Sequence, residues 1–331
     1  MISLIQTVKN KYHRTLIEVL FRLGFVGDIV ESKNGGAILC YHGIDLSSSK
    51  KYNMRFVSKK SLENQFRFMK KYFNVISVDD FFDQKFETSK FNIAITFDDG
   101  YKNNYRYAFP LIEKYQIPCS FYITGLNNTP YNFLWADMLD IVYVHSKITE
   151  LEFDNFEFSK SSSGFFTVHG TSLKKLIKFN GGWDLKVKLI EKLSCFQEII
   201  KKEQIDDYWR LMTDKEIVEI SKSPYIDIQS HGFFHNNLGN TPLNEGIDEV
   251  LKSKKYLENL IQKPVNGIAY PDGSYSREIV QELKLEGFTN QLALGYLFDE
   301  DQTESSILNR HGIYPVYSDS FQLKEIPNLV F

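Results

Sequence analysis

NIAITF, residues 92–97, runs straight into Asp98-Asp99-Gly100, and the reading of this junction decides the fold. Six β-favouring, largely apolar residues stopped by Asp-Gly describe a strand entering a turn. Turn chemistry accounts for Asp-Gly without explaining two adjacent acids. Outward from this junction, similar runs recur as GAILCY (36–41), NVISV (74–78), CSFYIT (119–124), YIDIQ (225–229), NGIAY (266–270) and FTNQLAL (288–294). Helical signals fall between them. Ser61 caps a helix through Lys71, and Asn103 or Asn104 starts one that passes Pro110 and reaches Tyr115. Thr213 and Glu216 form a capping box, Thr241-Pro242 opens a helix to about Ile261, and Ser276 caps one ending at Gly287. Strand–helix alternation of this kind is α/β, with seven or eight strands in a parallel series.

Residues 127–212 interrupt the rhythm with the serine-rich SKSSSG, Gly181-Gly182 and a helical pattern from Asp184 to Lys202, so they are read as an insertion at the loop face that shapes access to a site. The domain reading is therefore an N-terminal helical extension, 1–34, and a catalytic domain, 35–331, carrying that insertion. Within the extension Ile5, Val8, Tyr12, Leu16, Val19 and Leu23 form an amphipathic stripe. It fits a helix docked on its own domain, and residues 1–26 are also a candidate for peripheral membrane contact. Glu18 and Arg22 interrupt the apolar run and no small-residue cleavage site follows, so neither a signal peptide nor a transmembrane helix is read there.

The 331 residues are 43% hydrophobic and 15% aromatic, which excludes a disordered chain. A net charge of −3 gives no field to attract nucleic acid, so no nucleic-acid partner is expected. Cys40, Cys119 and Cys195 lack C-x-x-C spacing and read as free thiols of a reducing compartment. The expected location is cytoplasmic, extending to the inner face of the membrane.

His231 and His235 follow a strand-like run in IDIQSHGFFHNNL. Four-residue spacing on a helix would suggest a metalloprotease, but Gly232 follows the first histidine and no glutamate lies between the two. Two histidines and one carboxylate satisfy a divalent metal such as Zn²⁺ and leave a position open; Asp99 is a candidate for that carboxylate, and polar loop residues are the competing reading. Joined, the motifs explain the paired acids. A metal lowers the pKa of its water to about 7, and a base must still collect the proton. One aspartate ligates, Asp99, and one stays free, Asp98, with Gly100 permitting the sharp turn between them.

A third stretch, AYPDGSYS (269–276), also ends a strand-like run and alone reads as a Pro-Asp-Gly turn. Taken in order, TFDDG (96–100), SHGFFH (230–235) and AYPDG (269–273) resemble the three main motifs of polysaccharide deacetylases, the NodB-homology or carbohydrate esterase family four group. The resemblance spans residues 36 to about 316 apart from the insertion. It implies a distorted (β/α)7, TIM-like barrel and metal-dependent removal of acetyl groups from N-acetylated sugars, with Asp98 as base, Asp99, His231 and His235 on the metal, and Tyr270, Pro271 and Asp272 beside the substrate. ILCYHGID (38–45) further resembles the poly-N-acetylglucosamine deacetylase branch and makes His42 the acid, with His311 in NRHGIYP as its rival. A histidine with a pKa of about 6.5 is suited to that step. Many relatives carry arginine where Ala269 stands, so Arg310 is the candidate to orient the base. The family's Asp-Trp motif is not evident. Trp135, Trp183 and Trp209 lie in the insertion and offer either sugar stacking or core packing. With a cytoplasmic or inner-face location, the substrate implied is an N-acetylated glycan or a lipid-linked or nucleotide-linked sugar precursor. O-deacetylation, deformylation and a binding barrel without catalysis are the alternatives.

Overall fold

The structure is a computed structural model that describes residues 34–47, 51–315 and 318–328 together with Val19. The amphipathic stripe read over residues 1–26 lies outside the described residues, Val19 apart. The alternation read from the sequence becomes a single wound sheet of β1 (Gly36–Tyr41), β2 (Asn74–Val75), β3 (Asn92–Phe97), β4 (Cys119–Ile123), β5 (Ile226–Ser230), β6 (Gly267–Ala269), β7 (Asn290–Leu292), β8 (Ile307–Leu308) and β9 (His311–Gly312). Its order is β8-β7-β6-β5-β4-β3-β1-β9, with β2 against the start of β3 and every pairing parallel. The two edge strands, β8 and β9, are only two residues apart in the chain. The sheet must therefore curl until its edges meet, which gives the distorted (β/α)7 barrel.

Helices cover the outside of the sheet: α1 (Lys59–Tyr72) and α2 (Phe109–Tyr115) in the first half, then, beyond the insertion's own helices α3 (Trp135–His145), α4 (Leu173–Asn180) and α5 (Trp183–Lys192), come α6 (Asp214–Ile220), α7 (Leu243–Ile261) and α8 (Arg277–Leu285). The Thr213–Glu216 capping box and the Ser276 cap form as read. Other boundaries move for local reasons. Ser58, not Ser61, caps α1 by accepting from the Ser61 N–H. NVISV pairs only over Asn74–Val75, because Ser77 caps a short helix at once. The Thr241 hydroxyl donates to the Asn237 carbonyl, which leaves Pro242 at the start of α7. The stretch read as one helix from Asn103 or Asn104 begins as a π-helix, Asn104–Ala108, before α2. Pro110, which lacks an N–H, sits in the first turn of α2, where that donor is spare.

The insertion packs a hydrophobic cluster of its own, including Phe133, Trp135, Met138, Leu189, Phe196 and Trp209. SKSSSG is not a loose tract there. It forms the tip of a three-stranded antiparallel sheet, Glu150–Phe153, Phe156–Ser161 and Gly164–Phe166. Among the described residues no helix is long and apolar enough to cross a membrane.

Candidate active site

Alternation along the strands decides which side chains enter the barrel. Ala37, Leu39, Ile93, Ile95 and Phe121 pack outward under the helices, whereas Ile38, Ala94, Tyr122, Ala269 and Leu292 share an inner cluster. The inner series continues through Thr96 to Asp98 at the C-terminal end of β3, where parallel barrels place their sites. In a straight strand Asp99 would face the other way. Its φ of +75°, followed by +82° at Gly100, swings the second carboxylate back toward the first. A Cβ at Gly100 would lie 3.0 Å from Ile123 Cγ2, so glycine is needed there for space as well as for conformation.

Asp99 is fully buried, yet neither of its oxygens accepts a hydrogen bond. Its Oδ1 lies 3.4 Å from His231 Nε2 and 3.3 Å from His235 Nε2. His231 Nδ1 is 2.7 Å from the Ala269 carbonyl. A carbonyl only accepts, so the proton belongs on Nδ1 and the Nε2 lone pair faces Asp99. Three buried donors thus point at one another within 4.8 Å. Donors held about 2.0–2.1 Å from a tetrahedral ion stand roughly 3.3–3.4 Å apart. The orphaned carboxylate and the two imidazoles fit a divalent cation. Burial alone would raise the Asp99 pKa; the imidazolium forms of His231 and His235, together with Arg55, outweigh it and hold the carboxyl well below the usual range, and a cation held among the three would act in the same direction.

Asp98 is satisfied in a different way. Arg310 grips it with a planar fork, Nη1 to Oδ1 at 2.6 Å and Nη2 to Oδ2 at 2.8 Å, while donating to Thr96 Oγ1 at 3.1 Å and the Ala293 carbonyl at 3.2 Å. The Cys40 thiol donates to Asp98 Oδ2 at 3.4 Å. Burial works to raise the pKa of Asp98, but Arg310 and then His231 bring it down to about 2. His42 stands at the end of β1 in the same cleft with an unpartnered Nδ1. Burial, aided by Arg55, pushes it down to about 3, so it is neutral at pH 7 rather than titrating there as the sequence reading supposed.

The remaining candidates separate. His311 pairs with Leu39 in β9 and is not among the residues lining the cleft. Tyr270 lines the cleft but is buried, and its hydroxyl is spent on Gln291. Pro271 is buried, and Asp272, at φ +59°, pairs with Lys178 at 2.9 Å. Trp135 lines a neighbouring cavity instead of the metal cleft, Trp209 packs in the insertion core, and Trp183 stacks on Phe234 with ring centroids 4.7 Å apart.

Sequence reasoning misses four residues. Arg55 and Lys178 line the cleft, with Arg55 Nη2 3.7 Å from Asp99 Oδ2, and no motif marks either. Lys186 on α5 is 2% exposed and donates to the His235 carbonyl at 2.6 Å, the Asn236 side chain at 2.7 Å and the Phe234 carbonyl at 3.3 Å. Glu249 on α7 accepts from the N–H groups of Phe234 and Asn236 at 2.8 and 3.2 Å. One insertion residue and one barrel residue thus clamp the loop that carries His235, itself at φ +54°. Lys186 had a signal: Lys186, Leu189, Ile190 and Leu193 form one helical stripe, and a lysine within an apolar stripe calls for buried acceptors.

The sequence model of the polysaccharide deacetylase family matches residues 85–156 and 195–291, just over half of the chain. The chain belongs to the polysaccharide deacetylase family. It is a hydrolase of that family, its substrates carbohydrates, and the unmatched residues 157–194 fall in the insertion. No curated protein matches the sequence. Among solved structures, this deacetylase is similar to the Streptococcus pyogenes deacetylase PplD in complex with acetate, at 17% identity over 89% of this chain and 99% of that one, with a TM-score of 0.57. IcaB from Ammonifex degensii aligns at 14% identity over 88% and 97%, TM-score 0.55, and a polysaccharide deacetylase from Bacillus cereus at 19% over 88% and 69%, TM-score 0.53. At these identities the likeness concerns the fold.

Proposed function

We propose that this deacetylase hydrolyses the N-acetyl group of an amino sugar, in a polysaccharide or its precursor, at a divalent metal held by Asp99, His231 and His235. The observation that supports it best is the division between the paired acids: Asp99 has orphaned oxygens facing two imidazoles, and Asp98 is forked by an arginine beside them. Zn²⁺ suits two imidazoles and one carboxylate. When bound, such an ion supplies Lewis acidity toward water and the acetyl carbonyl. Asp98 takes the proton from the attacking water as general base, and Arg310 fixes the direction of its lone pairs. His42, neutral at rest, relays that proton to the departing amine nitrogen. Burial of the whole set keeps these interactions strong by excluding bulk water.

The test measures acetate, formate and newly freed amine from N-acetylated, O-acetylated and N-formylated oligosaccharides, with Zn²⁺ restored or chelated. Equal amounts of acetate and amine, dependent on metal, are expected. Acetate released without amine, or formate in preference to acetate, would reassign the bond that is cut.

A further inference from the structure

The metal cleft does not end at the barrel. Arg55, Lys178 and Asp272 line both that cleft and a second cavity, of about 680 Å³, which the insertion builds against residues 51–55. Shared walls set the two cavities side by side, and the volume of the second is that of a small-ligand pocket. Its charge differs from that of the molecule. In a chain of net charge −3, this cavity gathers Lys51, Lys174 and Lys175 beside Arg55 and Lys178, against Asp137, Asp140 and Asp272. Asp137 is buried and turned inward, accepting from Tyr101 Oη at 2.6 Å and Asn53 Nδ2 at 2.9 Å. The Lys174–Asp140 and Lys178–Asp272 pairs, at 2.5 and 2.9 Å, are partly exposed, and an arriving anion can take over such cations at small cost. Ser162 and Ser163, the tip of the serine-rich turn that the chemistry at the metal leaves unused, line the same wall.

We propose that this cavity binds a phosphate group attached to the acetylated saccharide, so that the substrate is a phosphorylated or phosphodiester-linked amino sugar. The inference rests on the deacetylase reading above. A carboxylate is planar and is best met by one arginine fork, whereas lysine ammoniums acting as point charges from several directions, with hydroxyls between them, suit a tetrahedral group with more oxygens.

Calorimetry with metal-loaded Asp98→Asn protein tests it without turnover. The probes are N-acetylglucosamine 1-phosphate, the neutral methyl glycoside of N-acetylglucosamine, and a disaccharide of N-acetylglucosamine with glucuronic acid. The phosphate should bind at least tenfold tighter than either of the others. Lys174→Met/Lys175→Met should erase that advantage, and Lys175→Glu should reverse it; both side chains are at least partly exposed on α4, so circular dichroism should show the fold kept. Equal affinity for phosphate and neutral probe, an advantage unchanged in the lysine variants, or carboxylate binding as tight as phosphate would each overturn the assignment. Tighter binding of a uridine diphosphate sugar than of a prenyl diphosphate sugar would assign a nucleotide carrier, and the reverse a lipid carrier; either result supports a phosphate site. Lysine-dependent phosphate binding, with no acetate released from any substrate by the metal-loaded wild-type protein, would retain the cavity and overturn the reaction.

Discussion

Asp98 and Asp99 are sequence neighbours with opposite environments, one held by an arginine fork and the other left without a hydrogen-bond donor. That contrast is what an acid pair shared between a base and a ligand requires. The folded-state pKa of Asp98 is depressed, to about 2, so its carboxylate is present throughout the neutral range and its contribution to stability is lost only as pH falls from about 4 toward 2. Arg310→Lys keeps a charge and loses the fork. It should lower kcat about 10–100-fold and move the acid limb of the pH–rate profile upward, because the carboxylate is then less stabilised. An unchanged acid limb would remove Arg310 from the base's control. The ligand and base candidates were legible because acids and histidines at strand ends are chemically conspicuous. Arg55, Lys178 and the Cys40 contact were not, since each depends on chain segments that meet only in the fold.

At the scale of elements, the insertion belongs to the site. Lys186 on α5 and Glu249 on α7 hold opposite polar groups of the 234–236 loop, which fixes a histidine in a left-handed conformation. Burial pushes Lys186 down to about 8, so it still carries its proton at pH 7, as three acceptors demand. Lys186→Met should weaken Zn²⁺ affinity about 10–100-fold in a chelator competition, with Lys186→Arg recovering part of it. Wild-type affinity in the methionine variant would reduce the contact to packing. Gly100→Ala, strained at φ +82° and crowded by Ile123, should cost stability on the order of 1–3 kcal/mol by denaturant melts; no loss would mean the turn relaxes freely. Strand positions were readable from short, continuous apolar runs bounded by turn and cap residues, because these strands are buried on both faces. Caps shifted by a few residues because Ser58 accepts from the Ser61 N–H and the Thr241 hydroxyl turns to the Asn237 carbonyl, and the hairpin at SKSSSG was hidden by its polar composition.

For the whole molecule, strand–helix alternation indicated a parallel α/β sheet and the family resemblance implied its closure into a barrel, but the meeting of its edges at β8 and β9 is a matter of topology that local patterns do not carry. That closure brings the ends of β1, β3 and β5 and the Pro271–Gly273 turn together, so a metal held there would tie distant parts of the chain to one another. Zn²⁺ at 100 times its Kd should raise stability by about 2.7 kcal/mol, seen as a chelator-sensitive rise in Tm. No rise would mean the ligands are not joined through an ion. The most direct measurement of the central claim is a titration of Zn²⁺ into chelated protein, reading bound metal and acetate release together, for wild type and Asp98→Asn. Wild-type activity should climb with occupancy and saturate at about one ion per chain, while Asp98→Asn should bind the ion normally and release acetate about 10²–10⁴-fold more slowly. Acetate release independent of occupancy, or full activity in Asp98→Asn, would contradict it.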